Sequence, residues 1–458
     1  GRVHLVEEAL NMGRGRSTLI LLVLALAVGG YLYFVESKRA IPDENAKTKV
    51  FTTDAAKINQ LEIKSTSGVT GLRKGANDTW TIVKPVEAPA DRNSISDIVT
   101  NLANLEEERE VDANASDLKT FGLAEPRLDV TFQAEGEKEP KRILFGDKTP
   151  AGTAMYAKLP TGNRVFLVGT ALDASLDRST FDFRDKTAFA FDETKVDSLE
   201  LASSAQTIRL EKTGDDWKLV KPLQAPADFV SVNGVLGQLQ SAQMTALKDR
   251  PEEIKDLKQY GLDRPQVVAA IGMGTSTVTV ELGTEAEAGS VWARDPSKRL
   301  VFSVNNGVAD ELKKKVDDLR RKEVFDFRPY NTTRFEITRG STTRAFERVK
   351  GTGENAVDTW KQVVPSDKTV DSSNLEGALL DFSNLRAEAF VDRAGASTGH
   401  DTPAAVIEVK FEDGKKEERV TFGISAKGEF AVRADQPGAL KLEAGKYEDA
   451  IKKLDAIQ

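Results

Sequence analysis

The sequence predicts an α+β protein of three tandem similar domains, each a mainly antiparallel sheet with two or three helices, behind one N-terminal transmembrane helix. Three observations carry this. A tryptophan phrase appears as Asp78-Thr-Trp80-Thr-Ile-Val-Lys84-Pro85, as Asp215-Asp-Trp217-Lys-Leu-Val-Lys221-Pro222, and in eroded form as Asp358-Thr-Trp360-Lys-Gln-Val-Val364-Pro365. After each comes an apolar pattern of helical period, and then a turn closed by proline that opens onto alternating strands. The copies recur every roughly 140 residues, whereas solenoid units run about 20–50, so each copy is domain-sized.

The elements follow in order. Residues 17–35 hold no charge and, at about 1.5 Å per residue, are long enough to cross a hydrocarbon layer of about 30 Å. Arg14 and Arg16 precede them and Glu36, Lys38 and Arg39 follow, a weak charge bias, and residues 1–16 are expected as a short cytoplasmic tail because a short flank inside and a large domain outside is the usual arrangement. The bulk of the chain is then periplasmic or extracellular, held to the inner membrane by a single pass. A cleavable signal peptide is the rival reading, since Ala25-Leu-Ala27 resembles a cleavage site. Cutting there would leave Tyr31, Tyr33 and Phe34 on an apolar new terminus, which favours the anchor.

Residues 36–50, polar and containing Pro42, read as a tether. The repeats are expected at 51–190, 191–328 and 329–458. In each, an alternating stretch (residues 58–64, 196–201 and 335–337) precedes the tryptophan strand, as in a hairpin. Asp91, Asp228 and Asp371 then stand before the helices, near their N-caps. Ile95, Ile98, Val99, Leu102 and Leu105 match Val232, Val235, Leu236, Leu239 and Ala242, and these match Leu375, Ala378, Leu379, Phe382 and Leu385, one buried helix face each time.

The turns Phe121-Gly122-Leu-Ala-Glu-Pro126 and Tyr260-Gly261-Leu-Asp-Arg-Pro265 place a left-handed glycine after a short helical turn, and Gly399-His400-Asp-Thr-Pro403 is the third version. An antiparallel meander returns through Gly146, Gly283 and Gly423, and a helix closes each copy. Phe181-Asp-Phe-Arg184 and Phe325-Asp-Phe-Arg328 read as one junction phrase between copies. The acidic residues Glu106 to Glu108 with Glu110 could be taken for a cation site, but they read as a continuation of the first helix, forming a solvated face.

Composition narrows the function. With 64 basic and 72 acidic residues interspersed and a net charge of −8, no basic field recommends nucleic acid. The absence of cysteine removes disulfides, thiolate nucleophiles and cysteine-held zinc, and only His400 offers an imidazole beyond the anchor.

The tandem tryptophan strands with Lys-Pro, the Phe/Tyr-Gly-Leu-x-x-Pro turns, the Phe183-Arg-Asp-Lys186 phrase, the single span and the lack of cysteine together resemble the bacterial domain of unknown function 4340 family. The resemblance covers essentially everything after the anchor. It implies a membrane-anchored extracytoplasmic protein, often encoded beside an ABC-type permease and a gliding-motility-type auxiliary protein. It supplies no catalytic residues. The third copy departs from the pattern, with Val364-Pro365 for Lys-Pro and no Arg-Asp-Lys phrase.

Catalytic signatures are sparse. The chain has no phosphate loop, no Gly-x-Ser-x-Gly elbow and no His-Glu-x-x-His pair. Ser116-Asp-Leu-Lys119 has the spacing of a lysine-activated serine, but its companion motifs are missing. His400 reads as a turn residue. The basic stretch at residues 313–322 reads as a solvated helix face. Lys158, Arg294 and Arg433 recur at what reads as one strand position, as three possible ligand or partner contacts; the alternative is exposed cations that discourage edge pairing.

The expectation is a non-catalytic, membrane-anchored extracytoplasmic scaffold or auxiliary subunit of an ABC-type envelope transport complex, with a permease or auxiliary protein as partner and no cofactor or metal. A lipid- or glycan-binding protein is the alternative. It requires an apolar pocket with convergent polar groups.

Overall fold

A computed structural model describes residues 48–287, 289–352 and 357–457. The expected anchor at residues 17–35, and the tail before it, lie outside the described residues. Among the described residues no helix is long and apolar enough to cross a membrane.

The described chain builds three antiparallel sheets, of ten, nine and nine strands. The first runs Thr48–Lys49, Glu106–Asp112, Val165–Gly169, Ala154–Lys158, Lys141–Lys148, Leu128–Ala134, Ile58–Ser65, Gly68–Lys74, Trp80–Lys84, Ala88–Pro89. The second, from Ala246–Lys248 through the Ser198–Ser203 strand to Ala225–Pro226, and the third, from Ala387–Val391 through Thr332–Arg339 to Lys368–Thr369, repeat that order without the extra edge strand. The chain divides between Asp185 and Lys186 into two compact units. The first holds one sheet and the second holds the other two.

Each sheet covers its own apolar core, with helix Arg92–Ala103, Phe229–Gln240 or Ser372–Ser383 on one face. These helices start where the sequence places them. Asp91 accepts the N–H of Ser94 at 2.8 Å, Asp228 that of Ser231 at 2.7 Å, and Asp371 that of Asn374 at 2.9 Å. Such caps contribute about 1 kcal/mol each. The faces read from sequence are buried, and so are Trp80, Trp217 and Trp360. The proline after each tryptophan strand is cis, in the third copy as in the first two.

Two glycines per repeat have one cause. Gly122, Gly261 and Gly399 are left-handed, with φ of 66°, 65° and 71°. The strand glycines Gly146, Gly283 and Gly423 lie against those turns, so a Cβ on any of them would overlap the carbonyl oxygen of Phe121, Tyr260 or Thr398. Turn and meander therefore meet backbone to backbone.

The structure corrects two sequence readings of the elements themselves. The acidic run is a strand, Glu106–Asp112, not a continued helix. Asn104 caps the helix, and Arg164 neutralises the run, bonding Glu107 and, at 2.6 Å, Glu110.

The second correction concerns the junction. The two Phe-Asp-Phe-Arg phrases occupy different places. Phe183 takes the N–H of Asp91 on its carbonyl at 2.9 Å, and the residue doing so for Asp228, at 2.8 Å, is Leu319. Arg184 therefore matches Arg320, while Phe325 matches Phe189. The lead-in to each repeat is also shared. Val50 donates to Leu105 O at 2.8 Å, Ala188 to Ala242 O at 3.0 Å and Val324 to Leu385 O at 3.0 Å, each followed by a buried phenylalanine at 51, 189 or 325.

Candidate functional site

The residues singled out by sequence do not converge. Lys158 pairs across its strand with Leu144 and Arg294 with Glu281, each two residues before the meander glycine. Arg433 pairs with Val420, three residues before Gly423, so it sits one position later and faces the other side of its sheet. All three strands are interior to their sheets, so guarding an edge is not their task. Lys158 is buried, and Arg294 is held by Glu281.

Ser116 precedes the short turn Lys119–Phe121 rather than sharing a helical face with Lys119, and both are exposed. His400 is half-buried with both ring nitrogens engaged, Nδ1 with Thr398 Oγ1 at 2.9 Å and Nε2 with the carbonyl of Thr421 at 3.2 Å. Among the described residues no group of three or more His, Cys, Asp or Glu side chains is placed to hold a metal ion.

The most developed polar constellation lies in the second unit, where the second sheet's exit segment meets the third sheet. Arg320 is buried, not part of a solvated face as the basic stretch suggested. Its guanidinium lies 3.8 Å from the ring centroid of Phe390 and donates to Gln436 Oε1 at 2.8 Å and Pro437 O at 3.1 Å. Arg321 pairs with Asp326. Arg433 donates to Val324 O at 2.6 Å and, through Nε and Nη2, to both oxygens of Asp435 at 2.9 and 2.7 Å. Glu418 accepts the backbone N–H of Asp326 at 2.8 Å and that of Phe327 at 3.3 Å.

Burial dominates the electrostatics here. It pushes the Glu418 carboxyl above the usual range despite Arg433 nearby, and it pulls Arg321 down, with Arg433 adding to the effect. Burial is the largest influence on Arg433 and Asp435 and works against both charges, but their mutual hydrogen bonds and the attraction of the neighbouring opposite charges together outweigh it, holding Arg433 above and Asp435 below their ordinary values. These groups bond chiefly to one another, while Arg320 Nε and Gln436 Nε2 are buried without a hydrogen-bond partner among the described residues. Their chemistry is that of a staple: the connecting backbone between the second and third sheets is gripped by side chains from the third.

Beside the staple is an open cleft of about 590 Å³. Its walls carry Asp216, Asp228, Glu323, Asp326, Glu412 and Asp435 against Lys218, Arg321, Arg328 and Lys416. On its rim Phe229 and Val230 are 53% and 77% exposed, where the other repeats place Arg92-Asn93 and Ser372-Ser373. Sequence reasoning missed Arg320, Arg321, Glu418 and Asp435. The available signal was the recurrence of Arg-x-Lys at residues 184–186 and 320–322, obscured by the coincident Phe-Asp-Phe-Arg phrases.

Fold and site together define a tandem-repeat protein of antiparallel α+β modules in which buried tryptophans, capped helices and left-handed glycines recur. The chain belongs to the family described as domain of unknown function (DUF4340), whose model matches residues 80–218 and 217–407. Each match starts at or beside a repeat tryptophan, Trp80 or Trp217. No curated protein matches the sequence. Solved structures include the DNA polymerase sliding clamp from Pseudomonas aeruginosa with ligand, at 8% identity over 86% of this chain and 94% of that one, with a TM-score of 0.15. A putative DNA polymerase III beta subunit from Eubacterium rectale has 7% identity over 81% and 92%, with a TM-score of 0.14. Scores this low carry no argument about fold or function.

Proposed function

We propose that this chain is a non-catalytic, membrane-anchored extracytoplasmic scaffold, an auxiliary subunit of an ABC-type envelope transport complex. The observation that supports it most is the staple between the second and third sheets. Its buried ionic groups are spent on fixing one module against the next, which suits a protein that presents surface rather than one that turns over a substrate. The uncharged run at residues 17–35 supplies the anchor in this reading, and the transporter association comes from the family resemblance alone.

The lipid or glycan alternative draws less support, because the cleft at the staple is walled mainly by charged side chains rather than by an apolar lining. The test is crosslinking in native membranes followed by purification through the chain. Recovery of a permease or its auxiliary protein is the expected result. A chain that fractionates away from membranes, or that captures no envelope protein, would overturn the proposal.

A further inference from the structure

In the first repeat the edge at Ala88–Pro89 is closed by the repeat's own exit segment. Asp91 N–H donates to Phe183 O at 2.9 Å, Asp185 N–H donates to Pro89 O at 3.0 Å, and Ala90 and Arg184 form an antiparallel bridge. The second repeat does the same with a different sequence. Asp228 N–H donates to Leu319 O at 2.8 Å, Arg321 N–H donates to Pro226 O at 3.0 Å, and Ala227 bridges Arg320.

The third repeat has the same edge, Lys368–Thr369, leading through Val370 to the N-cap Asp371. Its backbone is set alike, with φ of −68° at Asp371 against −64° at Asp91 and −76° at Asp228. Among the described residues, nothing takes the N–H of Asp371 or donates to the carbonyl of Thr369. The closing helix Lys446–Asp455 is tied elsewhere, since Arg344 donates to the carbonyls of Leu454 and Ile457, each at 3.0 Å.

We propose that this third edge is a docking site for an extended segment of a partner protein that carries the Arg-x-Lys pattern of the exit segments, and that this segment adds as one more antiparallel strand. Two arguments choose the occupant. The segments that fill the equivalent edges carry Arg184-Asp-Lys186 and Arg320-Arg-Lys322, and the open edge is flanked by exposed Asp367 and Asp371. The backbone pair waiting there, one donor and one acceptor, is that of a strand partner. The inference rests on repeat geometry and holds whether or not the chain serves a transporter.

The test titrates a fluorescent peptide of residues 179–187 into the full chain in detergent, alongside Asp371→Ala and Asp371→Pro variants. Both variants lose the cap, but only proline loses the N–H, and the φ at this position suits its ring. Saturable binding, weakened at least tenfold more by Asp371→Pro than by Asp371→Ala, is the expected result. Absence of saturable binding, or equal effects of the two variants, would overturn the site. Should the proline variant unfold, a photoreactive residue in place of Lys368 must crosslink the peptide, and failure to do so is equally decisive. Self-association of the chain that the peptide competes away would assign the edge to a second copy and refute the partner assignment.

Discussion

Arg320 rests its guanidinium 3.8 Å from the ring centroid of Phe390, a residue seventy positions further along the chain and in the next sheet. Stacking on this partly buried ring contributes about 1–2 kcal/mol, and each hydrogen bond about 1 kcal/mol. Arg320→Ala is therefore expected to destabilise the second unit by about 2–4 kcal/mol in urea unfolding. Arg320→Lys, with no planar fork, recovers less than half. A loss below about 0.5 kcal/mol would show that the two sheets are held by other contacts.

Glu418→Gln removes the charge facing Arg433 and leaves one acceptor oxygen for the connecting backbone at Asp326 and Phe327. A cost of about 2 kcal/mol follows, together with faster proteolysis within residues 320–328. Unchanged cleavage would remove Glu418 from the staple.

Acid acts oppositely on two carboxyls. Burial opposes the charge of Asp173, but Lys148 and Arg127 outweigh it and hold its pKa below the usual range. Its stabilising contribution is complete above the unfolded value of about 3.9 and is lost as pH falls through the folded one. Glu418 is pushed up, so its contribution is greatest below the unfolded value of about 4.3 and is lost as pH rises through the folded one. Asp173→Asn should flatten the acid limb of the first unit's stability profile, and Glu418→Gln the rise of the second unit's toward acid. Profiles that superpose on the parent would contradict both assignments.

Gly423→Ala should cost about 3 kcal/mol, because its methyl group meets a backbone carbonyl that cannot step aside without moving the Gly399 turn. Gly237→Ala is the control. It lies inside helix Phe229–Gln240 with open space around it, so alanine should stabilise by about 0.5–1 kcal/mol. Thermal unfolding of the pair checks both signs.

Local chemistry made much of the fold legible. Caps at Asp91, Asp228 and Asp371, the buried helix faces and the left-handed glycines each depend on neighbours within a few residues, and all appear where the sequence places them. The site was less legible. The junction was misaligned because residues 181–184 and 325–328 spell one phrase by coincidence, while the true equivalents, Phe183 and Leu319, share only an apolar side chain. Arg433 matched Lys158 and Arg294 in type, but register placed it one residue later.

The sequence by itself determined the repeat, the α+β modules and their capped elements, because periodicity and turn chemistry are short-range. Tertiary structure alone decided which arginines are buried, how the exit segments pair with the sheet edges, and that the third edge at Lys368–Thr369 stays open among the described residues. These depend on backbone groups and on residues a hundred positions apart. Hydrogen bonds of the main chain leave no mark in the side chains of the residues that make them.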